Sequence, residues 1–224
     1  MITGSTSNIP PGALDWGDLR RMDPASDRWG YDRGLPVDRY YIEGFLRRNA
    51  GDIRGRCIEV LTAAYTRQFG GDRVTEADVV DINPANEQAT IVADLTEPGA
   101  LRAGYYDCFV LTQTLPVVYD GRALVRTCYD ALRPGGVLLV TAPCLCRYSP
   151  HPEDHWRMTD RSLTRLLTEE TDGEDVEVEM FGNLVTSIAF LTGLASEELE
   201  PAELDHRDGR FPVVVTARLR KPVT

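Results

Sequence analysis

The amino-acid sequence predicts an α/β fold in which helices cover both faces of a doubly wound, mostly parallel β-sheet. Two observations support this prediction. From residue 56 onward, strand-like runs alternate with helical patterns, which is the order that crossover connections between parallel strands produce. The runs CFVLT at 108–112 and VLLVT at 137–141 are apolar almost throughout, as expected for strands buried on both faces. A length of 224 residues fits one such domain.

Residues 1–37 are predicted to form an irregular arm ahead of an α/β domain at 38–224. The arm is rich in Pro, Gly, Asp and Arg, and its tryptophans Trp16 and Trp29 suggest aromatic anchors. An arm of this kind can lie over a cleft as a lid, with Asp32 and Arg33 as candidate lid residues.

The elements that follow the arm are predicted from periodicity. Segment 37–49 has aromatic and aliphatic residues at helical spacing and predicts an amphipathic helix whose tyrosines belong to the core. Further helices are predicted at 122–132, 160–170 and 183–195. Strands are predicted at 56–61, 73–80, 89–95, 105–115, 137–143, 175–182 and 211–221, with a turn at 132–136 and a polar loop at 144–158.

Composition argues against two classes of partner. A net charge of −11 disfavours nucleic acid and anionic membranes, because both attract clustered Lys and Arg. No run approaches the roughly 18 apolar residues of a membrane span, and the first residues do not resemble a signal peptide, so we expect a cytoplasmic protein. The five cysteines are expected to be buried thiols. Cys144 and Cys146 lack a second pair at zinc-ribbon spacing, so no metal site is predicted.

Acidic or polar residues lie at or near the ends of four of the predicted strands, at the edge where open α/β sheets bind ligands. They are Glu59, then Asp78 and Asp81, then Asp94, and then Gln113 with Thr114. With the turn LRPGG that comes after them, this order resembles class I S-adenosylmethionine-dependent methyltransferases over residues 53–221. The resemblance implies a Rossmann-like sheet of seven strands, mostly parallel, with an antiparallel last strand, and S-adenosylmethionine as cofactor.

The resemblance also implies roles at the first two strands. Glu59 would lead into the cofactor loop, in which Leu61 takes the place of the first expected glycine and Tyr65 follows. The loop has no glycine between Glu59 and Gly70, so side chains would occupy space that the backbone normally leaves to the cofactor. Asp78 or Asp81 would accept hydrogen bonds from the ribose hydroxyls, because a carboxylate offers acceptors only. Asp78 is preferred as the ribose contact because of its distance from the predicted start of the strand at residue 73. In the alternative interpretation, both are solvated turn carboxylates with no contact to a cofactor.

At the third and fourth strands, the resemblance implies contacts with the rest of the cofactor. Asp94 would receive the adenine amino group, with Leu95 beside it, and Gln113 and Thr114 would flank the methionine part and the reacting methyl group.

The loop CRYSPHPEDHWRMTD is the predicted site of proton transfer and acceptor binding. His155 is the candidate general base, because histidine titrates near neutral pH, and Asp154 is its orienting partner or substitute. The candidate acceptor contacts in this loop are Tyr148, His151, Trp156 and Arg157. In the alternative interpretation, Asp154, Trp156 and Arg157 cap the next helix and the histidines are solvated.

Three phrases resemble a narrower bacterial group of methyltransferase-like proteins found with glycosyltransferases in polysaccharide or natural-product gene clusters. They are DRGLPVDRYYIEGFL at 32–46, YTRQFGGDRV at 65–74 and DHWRMTDRSLTRLL at 154–167. The predicted function is methyl transfer to a hydroxyl, or less readily to nitrogen or carbon, of a small polar or sugar-containing acceptor, without a metal.

Two other functions stay open. Leu61 and the pair Ala63 and Ala64 favour an accessory protein that has lost methyl transfer. The other possibility is that the fold is adapted to another reaction in the same pocket, such as a cyclisation or an elimination. A nicotinamide oxidoreductase is disfavoured because no GxGxxG follows the first strand. The arm can cover its own site or, in a homodimer, a neighbour's.

Overall fold

The computed structural model describes residues 10, 13, 15, 17–172 and 175–223. Within them, seven strands form one sheet in the order β3-β2-β1-β4-β5-β7-β6. The strands are β1 (Gly55–Val60), β2 (Val74–Asp81), β3 (Ile91–Val92), β4 (Tyr106–Thr112), β5 (Leu132–Pro143), β6 (Asp175–Phe181) and β7 (Val214–Arg220). Strand β7 is antiparallel to β5 and β6, and the other pairings are parallel. The predicted doubly wound sheet with an antiparallel last strand is confirmed.

Helices cover both faces of this sheet. They are α1 (Val37–Arg48), α2 (Gly121–Ala131), α3 (Asp160–Glu170), α4 (Leu184–Thr192) and α5 (Pro201–Asp205). On one face, Phe109 of β4 belongs to a buried cluster with residues of α2 and α3. On the other, Val110 belongs to a cluster with residues of α1 and α4. Neighbouring residues of a central strand therefore face opposite halves of the core, which explains why the run is apolar throughout.

Besides shifts of one to three residues at other element ends, the structure differs from the predicted elements in three places. The predicted turn at 132–136 is a bulge within β5, because Tyr106 pairs with Leu132 and Cys108 with Val137. Gly135 permits this bulge with a φ of 79°. The third predicted strand shortens to Ile91–Val92, since the chain turns at Asp94, and the fourth helix ends at Thr192, where Gly193 adopts the left-handed conformation.

The described part of the arm packs against the end of α4. The Ala25 N–H donates to the Thr192 carbonyl (2.7 Å), and Arg33 forms an ion pair with Glu198. Asp32 accepts from the Ser26 hydroxyl, which lowers the pKa of Asp32. Of the two candidate lid residues, Arg33 therefore fixes the arm to the rest of the chain, whereas Asp32 bonds within the arm. Trp16, the other predicted anchor, lies outside the described residues.

The five cysteines are free thiols. Cys57, Cys108 and Cys128 are buried, and Cys144 and Cys146 are half-buried. Along the described chain, every helix is too short or too polar to cross a membrane.

Candidate functional site

The turn after β1 adopts a backbone conformation that normally requires glycine. The residue at this position is Leu61, which has a φ of 74° although it carries a side chain, and that side chain is exposed. The buried Glu59 carboxylate holds the turn by accepting the N–H groups of Tyr65 (3.2 Å) and Thr66 (2.7 Å). Burial raises the pKa of Glu59, while these N–H groups act in the opposite direction. The turn thus has a left-handed residue at Leu61 and a buried carboxylate that bonds its backbone, without a glycine in it.

Strand β2 ends at Asp81, not at Asp78. Val80 pairs with Val60 at the end of β1, whereas Asp78 pairs with Ile58 further back. The Asp78 carboxylate accepts from Thr90 Oγ1 (2.7 Å) and from the Tyr106 hydroxyl (2.9 Å), within the sheet. The predicted position of Asp78 at the strand end is thus corrected, because the strand runs three residues further.

Asp81 is 7 % exposed and lies beside the turn after β1. Its carboxylate accepts from the Asn83 N–H (2.9 Å) and from Asn86 Nδ2 (2.7 Å). The same Asn86 amide donates to the Leu61 carbonyl (2.8 Å) and so joins the two turns. Ile82, which sequence reasoning missed, is 66 % exposed next to this carboxylate. Its position in the run DINP, directly after the strand-ending acid, is the signal that could have identified it.

The turns after β3 and β4 complete this edge of the sheet. The Asp94 carboxylate accepts from Thr96 N (2.9 Å) and Thr96 Oγ1 (2.7 Å), which lowers its pKa, and Leu95 is buried beside it. Gln113 has a φ of 53°, and its buried Nε2 has no hydrogen-bond partner among the described residues. Thr114 is also buried. An unpaired buried amide donor is costly unless a ligand accepts from it.

A cavity of about 320 Å³, here called the central cavity, lies where the arm, α1 and the loops after β4 and β5 meet. It is lined by Trp29, Tyr31, Asp38, Arg39, Gln113, Pro116, Val117, Pro143, Cys146, Arg147, Ser149, Pro152, Asp154, Arg157 and Phe190. Three of the predicted site residues therefore share it: Gln113, Asp154 and Arg157. The arm contributes its predicted anchor, Trp29, which lies under the Arg147 guanidinium at 4.2 Å.

The loop 144–158 divides its predicted residues between this cavity and the outer surface. Asp154 is paired with Arg157 (2.5 Å), and the guanidinium lowers the pKa of the carboxyl. His155 is exposed and its imidazole packs edge-on against Tyr119 (5.4 Å), outside the lining of the central cavity. Trp156 also packs against Tyr119.

Two further predicted contacts in this loop also lie outside the lining of the central cavity. Tyr148 and His151 are exposed and are absent from its lining. Their predicted contact with an acceptor therefore gains no support from the position of their side chains.

Asp38 and Arg39 line the central cavity, although the sequence predicted only an amphipathic helix here and gave these two residues no role in a site. Asp38 lies in the first turn of α1, and its side chain is 14 % exposed. Burial raises its pKa, while the Arg39 guanidinium, 4.0 Å away, acts in the opposite direction. Arg39 Nε also donates to the Tyr31 hydroxyl (2.7 Å), which joins α1 to the arm. The cavity therefore contains a buried carboxyl with a raised pKa.

Residues 52–140 match the model of a family described as methyltransferase domain. No curated protein sequence matches the chain. Many solved structures, by contrast, match the chain in their fold.

A methyltransferase from Mesorhizobium loti that depends on S-adenosylmethionine is 16 % identical with a TM-score of 0.56, over 86 % of this chain and 100 % of that one. Another such methyltransferase, from Archaeoglobus fulgidus, is 14 % identical with a TM-score of 0.56, and the match covers 81 % of this chain and 94 % of that one. The [4+2]-cyclase SpnF is 14 % identical with a TM-score of 0.56, and the match covers 91 % of this chain and 89 % of that one. The chain thus has the fold of these methyltransferases, and its residues 52–140 match the methyltransferase domain family.

Proposed function

We propose that the chain is an S-adenosylmethionine-dependent methyltransferase that acts on a hydroxyl group of a small polar or glycosylated metabolite. The observation that carries the proposal is the placement of backbone strain. Among the described residues, only Trp29, Leu61 and Gln113 have a positive φ without being glycine. Leu61 directly follows β1, Gln113 directly follows β4, and Trp29 lines the central cavity with Gln113. Such conformations cost about 1–3 kcal/mol each and tend to persist at ligand sites.

The residues at this edge fit the cofactor. Asp81 would accept the ribose hydroxyls, and the exposed Ile82 would cover one face of the adenine. Asp94 would take the adenine amino group, next to Leu95. Gln113 Nε2 supplies an unpaired donor for the methionine part, with Thr114 beside it. The bound cofactor supplies an electrophilic methyl group on a sulfonium.

In the proposed reaction, the central cavity holds the acceptor and Asp38 accepts the hydroxyl proton. The carboxyl lines the same cavity as Gln113, and a raised pKa suits a general base that works near neutral pH. We prefer it to His155, whose imidazole lies outside this lining, and to Asp154, whose carboxylate is occupied by Arg157. Positioning of the acceptor by the cavity wall would supply the rest of the rate enhancement.

The nature of the cavity wall supports a polar ring as part of the acceptor. Trp29, Tyr31 and Phe190 offer aromatic surface. The guanidinium groups of Arg39 and Arg147 have further N–H groups besides those bonded to Tyr31 and Asp27. Sugars present both apolar and hydroxylated faces to such a wall. The three phrases that resemble methyltransferase-like proteins of polysaccharide and natural-product gene clusters support the same class of acceptor.

The test is isothermal titration of the full chain with S-adenosylmethionine and S-adenosylhomocysteine, with NADH as a control ligand. We expect both sulfur compounds to bind in the micromolar range and NADH not to bind. A screen of glycosylated metabolites for methyl transfer then follows. If neither compound binds, the chain is an accessory protein or uses its fold for another reaction.

Replacing Leu61 with glycine is expected to tighten S-adenosylmethionine binding by roughly threefold to tenfold, with little change in stability. Glycine removes a side chain that stands where the family approaches its cofactor with bare backbone. It also relieves about 1–2 kcal/mol of left-handed strain, while the freer unfolded chain offsets about 0.5–1 kcal/mol of that gain. Titration and thermal unfolding measure the two effects.

The matched control is Leu61→Ala, which shortens the side chain but keeps the strained Cβ. If both variants bind the cofactor as wild type does, the leucine does not obstruct the site. If both bind more weakly, its side chain is a contact instead of an obstacle.

A further inference from the structure

A second cavity of about 430 Å³ lies beside the central cavity, between the starts of α2 and α3. We call it the aromatic cavity. Leu115, Met158 and Leu166 form its apolar side, and Leu115 and Met158 are almost fully buried. Tyr119 and Trp156 form the facing side, with exposed fractions of 73 % and 42 %. Exposed aromatic rings opposite an apolar surface are typical of a ligand site.

The two rings are held in place. They stack with centroids 5.8 Å apart and planes 30° apart. Trp156 Nε1 donates to the carbonyl of Val118 (3.1 Å), and the Trp156 backbone N–H donates to the Pro116 carbonyl (3.2 Å). Because the indole N–H is satisfied by backbone, the ring presents apolar surface to the cavity. A wall of this kind binds without the cost of ordering its own side chains.

The charges around this cavity favour a neutral ligand. Arg122 at the rim is paired with Glu169 (2.6 Å) and Glu170, and Arg157 is paired with Asp154. The remaining charged group of the lining, the Asp120 carboxylate, accepts from the Ala123 N–H (3.0 Å) as the cap of α2. The volume exceeds the roughly 150 Å³ cavity that holds one benzene ring, so a group of two fused rings fits.

The aromatic cavity adjoins the central cavity. Arg157 lines both, and Leu115 of one cavity is followed in sequence by Pro116 of the other. We propose that the aromatic cavity binds a planar apolar ring system that belongs to the acceptor, so that the acceptor spans both cavities. Its assignment to the acceptor rests on the proposed function. The polar part of the acceptor then lies near Asp38, and the apolar ring lies against Tyr119 and Trp156.

The test uses 2-naphthol as a neutral two-ring probe and glucose as a polar one, each titrated into the cofactor-free chain and followed by saturation-transfer NMR. We expect 2-naphthol to bind and Trp156→Ala to weaken its binding by about tenfold, as expected for losing one aromatic contact. The proposal would be overturned if wild type bound glucose but not 2-naphthol and if Trp156→Ala lost the glucose binding.

A matched pair of variants at Gly121 tests the cavity itself. A Cβ at Gly121 would lie 3.5 Å from Leu115 Cδ2 and 3.7 Å from Leu166 Cδ2, which are ordinary contacts. We expect Gly121→Ala to bind 2-naphthol as wild type does and Gly121→Leu, whose larger side chain fills the space, to lose binding. Thermal unfolding checks that both variants fold. Retained binding in a folded Gly121→Leu would place the probe elsewhere and contradict the proposal.

The outcomes separate this inference from the proposed function. We expect Asp81→Ala, in the cofactor half of the site, to bind 2-naphthol normally. If S-adenosylmethionine binds but 2-naphthol does not, the aromatic cavity proposal fails alone. If 2-naphthol binds but S-adenosylmethionine and S-adenosylhomocysteine do not, the cavity is a ligand site and methyl transfer is rejected.

Discussion

The variant Asp81→Ala is expected to bind S-adenosylmethionine about 100-fold more weakly than wild type. A hydrogen bond to a charged group contributes about 1.5–3 kcal/mol, and two ribose hydroxyls would lose their shared acceptor. A loss of about 2.7 kcal/mol corresponds to 100-fold in the dissociation constant. The carboxylate is suited to this role because it is buried at the strand end, directly beside the turn at Leu61. Isothermal titration measures the change.

Two controls separate a cofactor contact from a structural effect. Asp78→Ala removes a carboxylate that bonds within the sheet, so we expect a lower melting temperature and an unchanged dissociation constant. Asn86→Ala removes the amide that joins Asp81 to the Leu61 carbonyl but keeps the carboxylate. If Asn86→Ala weakens binding as much as Asp81→Ala does, the turn geometry and not the carboxylate determines affinity. If only Asp78→Ala weakens binding, the ribose contact is Asp78.

Asp38→Asn is expected to lower kcat by about 10²- to 10⁴-fold with the acceptor that the screen identifies, the usual range for loss of a general base. Asparagine has nearly the shape of aspartate but accepts no proton at neutral pH. Titration of S-adenosylmethionine should show unchanged affinity, because Asp38 lies on the acceptor side of the site. Steady-state kinetics of methyl transfer measure the effect.

The pH dependence of the wild-type enzyme tests the same assignment. Burial raises the pKa of Asp38, and the carboxyl must be ionised to accept a proton. We therefore expect kcat to fall as the pH decreases through this raised pKa, and to keep that dependence in His155→Asn. If His155→Asn abolishes the acidic limb while Asp38→Asn retains full activity, the base is His155.

Much of the fold could be predicted because the central strands are buried on both faces. Continuous apolar runs such as 108–112 leave few alternatives to a parallel sheet covered by helices. The order of strands also placed Asp94 and Gln113 near strand ends, and in the structure they lie two residues after β3 and one residue after β4. Their contact with a cofactor stays a prediction. Short elements were harder. The edge strand β3 has only two residues, and it lacks the pattern that a longer strand repeats.

The site was predicted less completely for two physical reasons. The choice between Asp78 and Asp81 depends on the register of β2 against β1, which no local pattern encodes. The direction of the His155 side chain depends on packing against Tyr119, 36 positions earlier in the chain. Helical spacing identified the buried face of α1. It could not show that the first turn of α1 borders a cavity, because loops far along the sequence form the rest of that cavity.

Strand β7 comes last of the seven in chain order yet lies in the interior of the sheet, between β5 and β6. During synthesis, β6 therefore has no strand to pair with until residues 214–220 have left the ribosome, and β5 meanwhile exposes an open edge. Open edges readily pair with other chains. A nascent or truncated chain that stops before residue 214 is thus exposed to aggregation at two strands at once, although every residue of the proposed site has already been made.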